Sequence, residues 1–136
     1  MIQIFCNERG SGKTKKLIEK ANIYVREAKG NIVFIDDDHT NARFVDRNIR
    51  FVSTDDFHIK GCKCFYGFLC GILSSDYDIE HIYIDGLLSI LNCSLHETKD
   101  LFLKLSKICN KYNIDMFINI NSEKMTEIPE FIEEFV

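Results

Sequence analysis

Asn7-Glu8-Arg9-Gly10-Ser11-Gly12-Lys13-Thr14 decides how this chain is read. It follows the apolar run Ile2-Gln3-Ile4-Phe5-Cys6 and precedes an amphipathic stretch that starts near Lys15. A strand, a glycine-rich loop and a helix opened by Gly-Lys-Thr form the arrangement that cradles phosphate. Small residues let the backbone curl so that its N–H groups converge on an anion, and the new helix aims its positive end at the same point. Lys13 can reach the outer phosphates, and the Thr14 hydroxyl can take part in a magnesium site. Asn7 stands where the usual pattern has its first glycine. Asparagine is the residue that best replaces glycine in a left-handed turn, so the loop can still close. Asn7, Gly10, Ser11, Gly12, Lys13 and Thr14 are therefore candidate nucleotide-binding positions.

Outward from this stretch, the chain reads as alternating strands and helices. Residues 2–6 read as the first strand and 13–29 as a helix stopped by Gly30. Residues 31–36 form a second strand whose run Ile32-Val33-Phe34-Ile35 implies burial on both faces, as in a parallel sheet. Thr40 is placed to cap a short helix over 41–47. Residues 49–54 read as a third strand, 63–74 as a buried helix and 81–85 as a fourth strand. Residues 94–112 show a clear helical period, 115–121 a fifth strand, and 128–135 a last helix with Pro129 in its first turn. The expectation is one α/β domain over 1–136, a three-layer sandwich around a mainly parallel five-stranded sheet.

The totals agree. The chain has 136 residues, 46% of them apolar, and a net charge of -4. That is enough for one core, and the mild acidity argues against a dedicated nucleic-acid binder. The longest apolar run, 65–73, is too short to span a bilayer. Nothing near Met1 resembles a signal peptide, so the six cysteines are expected to be reduced thiols in the cytoplasm. Cys62, Cys64 and Cys70 with His58 invite a metal reading, but their spacing lacks the paired pattern of zinc sites, and free cysteine is a good core residue.

Polar residues collect at the carboxyl ends of the expected strands, where parallel sheets open a crevice. Asp85 ends an apolar strand and can hold magnesium beside Thr14. Gly86 follows it, so a water-activating glutamate is missing there. Asp38 is the candidate to accept a proton from attacking water, with Asp37 its competitor; strand alternation points them in opposite directions. Asn119 and Asn121 lie in and after the fifth strand, where an amide can sense the outer phosphate. Arg43, Arg47 and Arg50 form a basic strip, read as a solvated face with an arginine finger as the alternative. The run 65–69 reads as core, and as a partner surface where it remains exposed.

The order of these pieces resembles the ATPase core of RecA-like P-loop NTPases. The matching stretches are Gly10-Ser11-Gly12-Lys13-Thr14, Phe34-Ile35-Asp36-Asp37-Asp38-His39, Ile82-Tyr83-Ile84-Asp85 and Phe117-Ile118-Asn119. The whole chain also looks like small stand-alone bacterial P-loop proteins of unassigned role. The resemblance implies a sheet ordered third, second, fourth, fifth, first strand. It also implies that Asp38-His39 takes the place of a catalytic glutamate and its following histidine. The family's phosphate-sensing glutamine falls nearest Ile120, with Asn121 one residue on.

These readings converge on a magnesium-dependent ATP-binding protein, as a slow RecA-like ATPase, with Lys13 and Asp38 catalytic and Thr14 and Asp85 on the metal. A nucleotide-regulated binding module without turnover, acting on a protein partner or as a homo-oligomer, is the alternative. A small-molecule kinase is a third reading, with 39–50 as its only lid candidate.

Overall fold

The structure, a computed structural model, describes residues 1–7, 12–121 and 128–136, with Asn7 by its backbone. Its elements run β1 (Ile2–Asn7), α1 (Lys13–Tyr24), β2 (Asn31–Asp36), β3 (Arg50–Ser53), α2 (Cys62–Ser75), β4 (Ile79–Ile84), α3 (Leu87–Leu91), α4 (Lys99–Tyr112), β5 (Asp115–Asn121) and α5 (Glu130–Glu133). Short 3-10 turns occupy Ala42–Phe44, Thr54–Phe57 and Leu95–Thr98. The five strands form one sheet in the order β1-β5-β4-β2-β3, every pairing parallel. Counted from the β3 edge, that order is third, second, fourth, fifth, first.

Strand alternation assigns the two faces. Val33 and Ile35 of β2, Ile82 and Ile84 of β4, and Met116, Ile118 and Ile120 of β5 pack in one cluster with residues of α2, α3, α4 and α5. Ile32, Phe34, Tyr83 and Phe117 face the other way, against Leu17, Ile18 and Ala21 of α1. The central strands are thus covered on both faces, which is why they read as unbroken apolar runs. Each fully buried Ile, Leu or Phe contributes roughly 1.5–3 kcal/mol, so the layered core is the main source of stability.

The register across four strands has a simple consequence. Phe117, Tyr83, Phe34 and Phe51 lie side by side, and so do Ile118, Ile84, Ile35 and Val52. One step further on, Asp36 lies beside Ser53. The same step takes β4 to Asp85 and β5 to Asn119. Four strands therefore carry aligned aromatic, aliphatic, polar triplets at or near their carboxyl ends: Phe34-Ile35-Asp36, Phe51-Val52-Ser53, Tyr83-Ile84-Asp85 and Phe117-Ile118-Asn119. Because side chains alternate, the polar end residues share the α1 face with the aromatic row.

Several expected elements are corrected. The helix expected over 41–47 is a single 3-10 turn at Ala42–Phe44, with no side-chain cap. Carboxylates claim the local amides instead: Asp36 accepts from Asp37 N–H at 2.8 Å and Asp38 from Thr40 N–H at 2.9 Å, a competition that disfavours helix. The helix expected over 94–112 breaks at its start, because the buried Thr98 hydroxyl donates to the Leu95 carbonyl at 2.6 Å and closes a separate 3-10 turn. α1 ends at Tyr24, not 29. Gly30 is required by close packing: a Cβ there would sit 2.1 Å from the Asp78 carbonyl oxygen. The third strand stops at Ser53, where Thr54 enters a 3-10 turn. α3 was not expected at all; it is a five-residue helix begun at Gly86. Pro129 sits just before α5, which spans only Glu130–Glu133. Among the described residues no helix is long and apolar enough to cross a membrane.

Candidate functional site

The carboxyl ends of β5, β4 and β2 meet the amino end of α1. Gly12 precedes that helix at φ +78°, a left-handed backbone that glycine adopts without strain. The first turn of α1 has no acidic residue and carries Lys13, Lys15 and Lys16, and among the described residues no side chain caps it. Cations at a helix N-terminus oppose the macrodipole, so this end of α1 favours an adjoining anion.

Lys13 is 7% exposed, and its ammonium donates to the Ile120 carbonyl at 3.0 Å. Burial pulls its pKa down, and the neighbouring Cys6 thiol and Asp85 carboxylate partly offset that. The Thr14 hydroxyl donates to Asp85 Oδ2 at 2.9 Å. The Asn119 amide donates both to Asp85 Oδ1 at 3.0 Å and to the Lys13 carbonyl at 3.1 Å. Both Asp85 and Asn119 are buried. One carboxylate thus ties α1 to β5 through two side-chain donors. Among the described residues no buried side-chain nitrogen or oxygen lacks a hydrogen-bond partner. Asn119→Leu would remove two of these bonds and leave an Asp85 oxygen and a backbone carbonyl without that donor. The expected cost is about 2 kcal/mol of stability, measured by urea unfolding of the ligand-free protein.

Asp36 is the residue that reading the sequence did not single out. It is 4% exposed, with Oδ1 accepting from Asp37 N–H and Oδ2 3.5 Å from the Asn41 amide. Burial above all, then a side-chain bond with Asp37 and the charge of Asp85, pushes its pKa up to about 8, against the opposing pull of the Asp37 N–H bond. Its position was legible in principle. Asp36 stands two residues after Phe34, just as Asp85 stands two after Tyr83, so strand parity puts both on the α1 face.

Asp38 lies elsewhere. It is exposed, and its bonds with Thr40 hold its carboxyl below the usual range. Asp37 is anchored through its backbone: its carbonyl accepts from the Ser53 hydroxyl and from Asp55 N–H, each at 3.0 Å. His39 pairs with Asp56 at 2.7 Å on the surface. The structure therefore brings Lys13, Thr14, Asp85, Asn119 and Asp36 together and leaves Asp38 outside that group. Asn121 is exposed at the end of β5, paired in register with Asn7. Gly10 and Ser11 fall outside the described residues.

Next to Gly12 and Thr14 lies a cavity of 540 Å³, walled by Ile18 and Asn22 of α1 and by Asn41 and Phe44 across from them. Arg43 lies over the Phe44 ring at 4.7 Å, and Arg43, Arg47 and Arg50 are all exposed. With only a 3-10 turn in the 39–50 segment, that stretch is no helical lid.

Hard oxygen donors converge at Thr14 and Asp85, with a second buried carboxylate at Asp36. That chemistry fits magnesium, which is held by one or two carboxylates together with substrate phosphates. Among the described residues no three His, Cys, Asp or Glu side chains form a protein-only metal cage, and magnesium bound through phosphates needs none. Cys62, Cys64 and Cys70 lie along α2, and Cys62 donates to the Glu97 carbonyl at 3.9 Å.

No protein-family model matches the chain, and it matches no curated protein.

Proposed function

We propose that this chain is a P-loop nucleotide-binding protein that holds a nucleoside triphosphate with magnesium and hydrolyses it slowly. The observation that carries the reading is the 2.9 Å contact between Thr14 and Asp85 at the foot of a helix whose first turn holds three lysines and no acid. An anion-seeking helix end beside a hydroxyl–carboxylate pair suits a phosphate with its counter-cation. Lys13 and the first-turn amides would bind the phosphates. Thr14 and Asp85 would hold magnesium, which when bound neutralises charge on the phosphates. The 540 Å³ cavity walled by Ile18 and Phe44 suits the nucleoside. The resemblance to RecA-like cores supports the same assignment.

Asp36, rather than Asp38, is the carboxylate best placed to orient or deprotonate water beside the phosphates, because it is buried on the same face as Asp85. Its raised pKa also favours a second reading. A group that titrates at about 8 is mostly protonated at neutral pH and makes a poor base. A nucleotide-dependent switch without turnover then follows.

Phosphate release from ATP, measured against pH, separates the readings. For an ATPase, kcat/KM rises with pH through about 8, where Asp36 of the ligand-free protein ionises. Asp36→Asn then lowers it by about 100-fold or more, the usual scale of a lost general base. Asp38→Asn changes it by no more than about twofold, as expected of an exposed carboxylate outside the site. Tight magnesium-dependent binding with no phosphate release supports the switch. Loss of turnover in Asp38→Asn with none in Asp36→Asn would overturn the role given to Asp36.

A further inference from the structure

Two cysteines meet where α2 begins. Cys62 is the first residue of α2, and Cys93 lies between α3 and the 3-10 turn at Leu95–Thr98. Hydrogen bonds join the two segments on either side of Cys93. Gly61 N–H donates to the Leu91 carbonyl at 3.1 Å, and the Cys62 thiol donates to the Glu97 carbonyl at 3.9 Å. Ser94 closes the loop on itself, its hydroxyl donating to the Glu97 carboxylate at 3.0 Å. Within this frame the Cys93 thiol donates to the Cys62 sulfur. Both side chains are half-buried against the same core cluster, so a small reagent can reach them while the chain holds them side by side.

The other thiols are placed differently. Cys6 and Cys109 are buried. Cys70 is bonded to Tyr66. Cys64 is exposed, and two positions on from Cys62 in a helix it faces another way. Burial above all, then the charge of Cys62 and the bond with it, pushes the Cys93 thiol up to about 11. Cys93 is therefore protonated at neutral pH and suited to act second, on a disulfide formed beside it.

We propose that Cys62 and Cys93 form a reversible disulfide by thiol–disulfide exchange with a low-molecular-weight disulfide. The Cys62 thiolate attacks one sulfur of the reagent. A Cys62–reagent bond forms, the reagent's own S–S bond breaks, and the departing thiolate takes up the proton that Cys62 released. Cys93 then loses its proton and attacks the Cys62 sulfur, expelling the second half of the reagent as a thiol. Two protein thiols are oxidised, and the reagent is reduced to two thiols. The new bond ties the start of α2 to the loop after α3 and closes a ring that contains β4 and Asp85. The proposal does not depend on nucleotide binding.

Mass measurement and peptide mapping of the full chain test it. The Cys64→Ser background removes the exposed thiol, and remaining free thiols are alkylated before unfolding. After treatment with oxidised glutathione this chain is expected to lose two hydrogens and to yield linked peptides carrying Cys62 and Cys93. Dithiothreitol is expected to restore both hydrogens. Adding Cys93→Ser is expected to abolish the link and to leave one glutathione on Cys62, since no thiol displaces it there. An unchanged mass, a link mapped to another pair, or glutathione retained on Cys62 while Cys93 is present would overturn the proposal. So would a Cys93→Ser chain that still loses two hydrogens.

Discussion

Lys13→Met is expected to abolish measurable binding of magnesium ATP, a loss of about 100-fold or more. In the proposed site the ammonium would be the charge-assisted donor to the phosphates, and each such bond contributes about 1.5–3 kcal/mol. Methionine keeps the apolar stem and removes the charge. The ligand-free fold is expected to change by no more than about 1 kcal/mol: the bond to the Ile120 carbonyl is lost, but so is the cost of burying an ammonium whose pKa burial already lowers. Titration calorimetry reads the binding and urea unfolding reads the fold. A variant that binds as the parent does would show that Lys13 does not meet the phosphates.

Asp36→Asn is expected to stabilise the ligand-free protein at neutral pH. In the unfolded chain this carboxyl titrates near 3.8, and in the folded chain near 8. Between those values the unfolded state holds fewer protons, so stability falls as pH rises. The contribution is fully present below pH 3.8 and is lost as pH passes through about 8. Asparagine keeps the shape and an acceptor for Asp37 N–H, and cannot ionise. The variant is expected to gain roughly 2–4 kcal/mol at pH 7 and to lose this part of the pH slope. Bound cation would favour the ionised carboxyl, so saturating magnesium ATP is expected to flatten the parent's slope and to release protons on binding. A pH profile of urea unfolding checks the first part. Calorimetry in buffers of different ionisation enthalpy checks the second. A parent and variant with parallel profiles would place Asp36 in contact with solvent.

Most of the frame was legible because its signals were strong. The apolar runs Ile32–Ile35 and Met116–Ile118 lie inside β2 and β5, since the middle of a strand buried on both faces favours apolar residues. Thr14 and Asp85 were legible for a related reason: Thr14 lies in the first turn of α1 and Asp85 directly follows β4, so a regular element fixes the place of each. Asp38 was harder. Three aspartates in a row give no local preference, and the turn that lifts Asp38 away is made by hydrogen bonds to Thr40. Counting two residues on from the aromatic in each strand would have selected Asp36. Asn119 was seen as a phosphate sensor, yet its amide is engaged by Asp85 and by the Lys13 carbonyl. α3 escaped because five residues are too few for a helical period to show.

Calorimetric titration of the parent protein with ATP and with GTP, each with and without magnesium, bears on the central claim most directly. The expected result is one nucleotide per chain, with affinity weakened at least about tenfold by removing magnesium and by Asp85→Asn. Absence of binding to either nucleotide, or binding indifferent to both magnesium and Asp85, would contradict it.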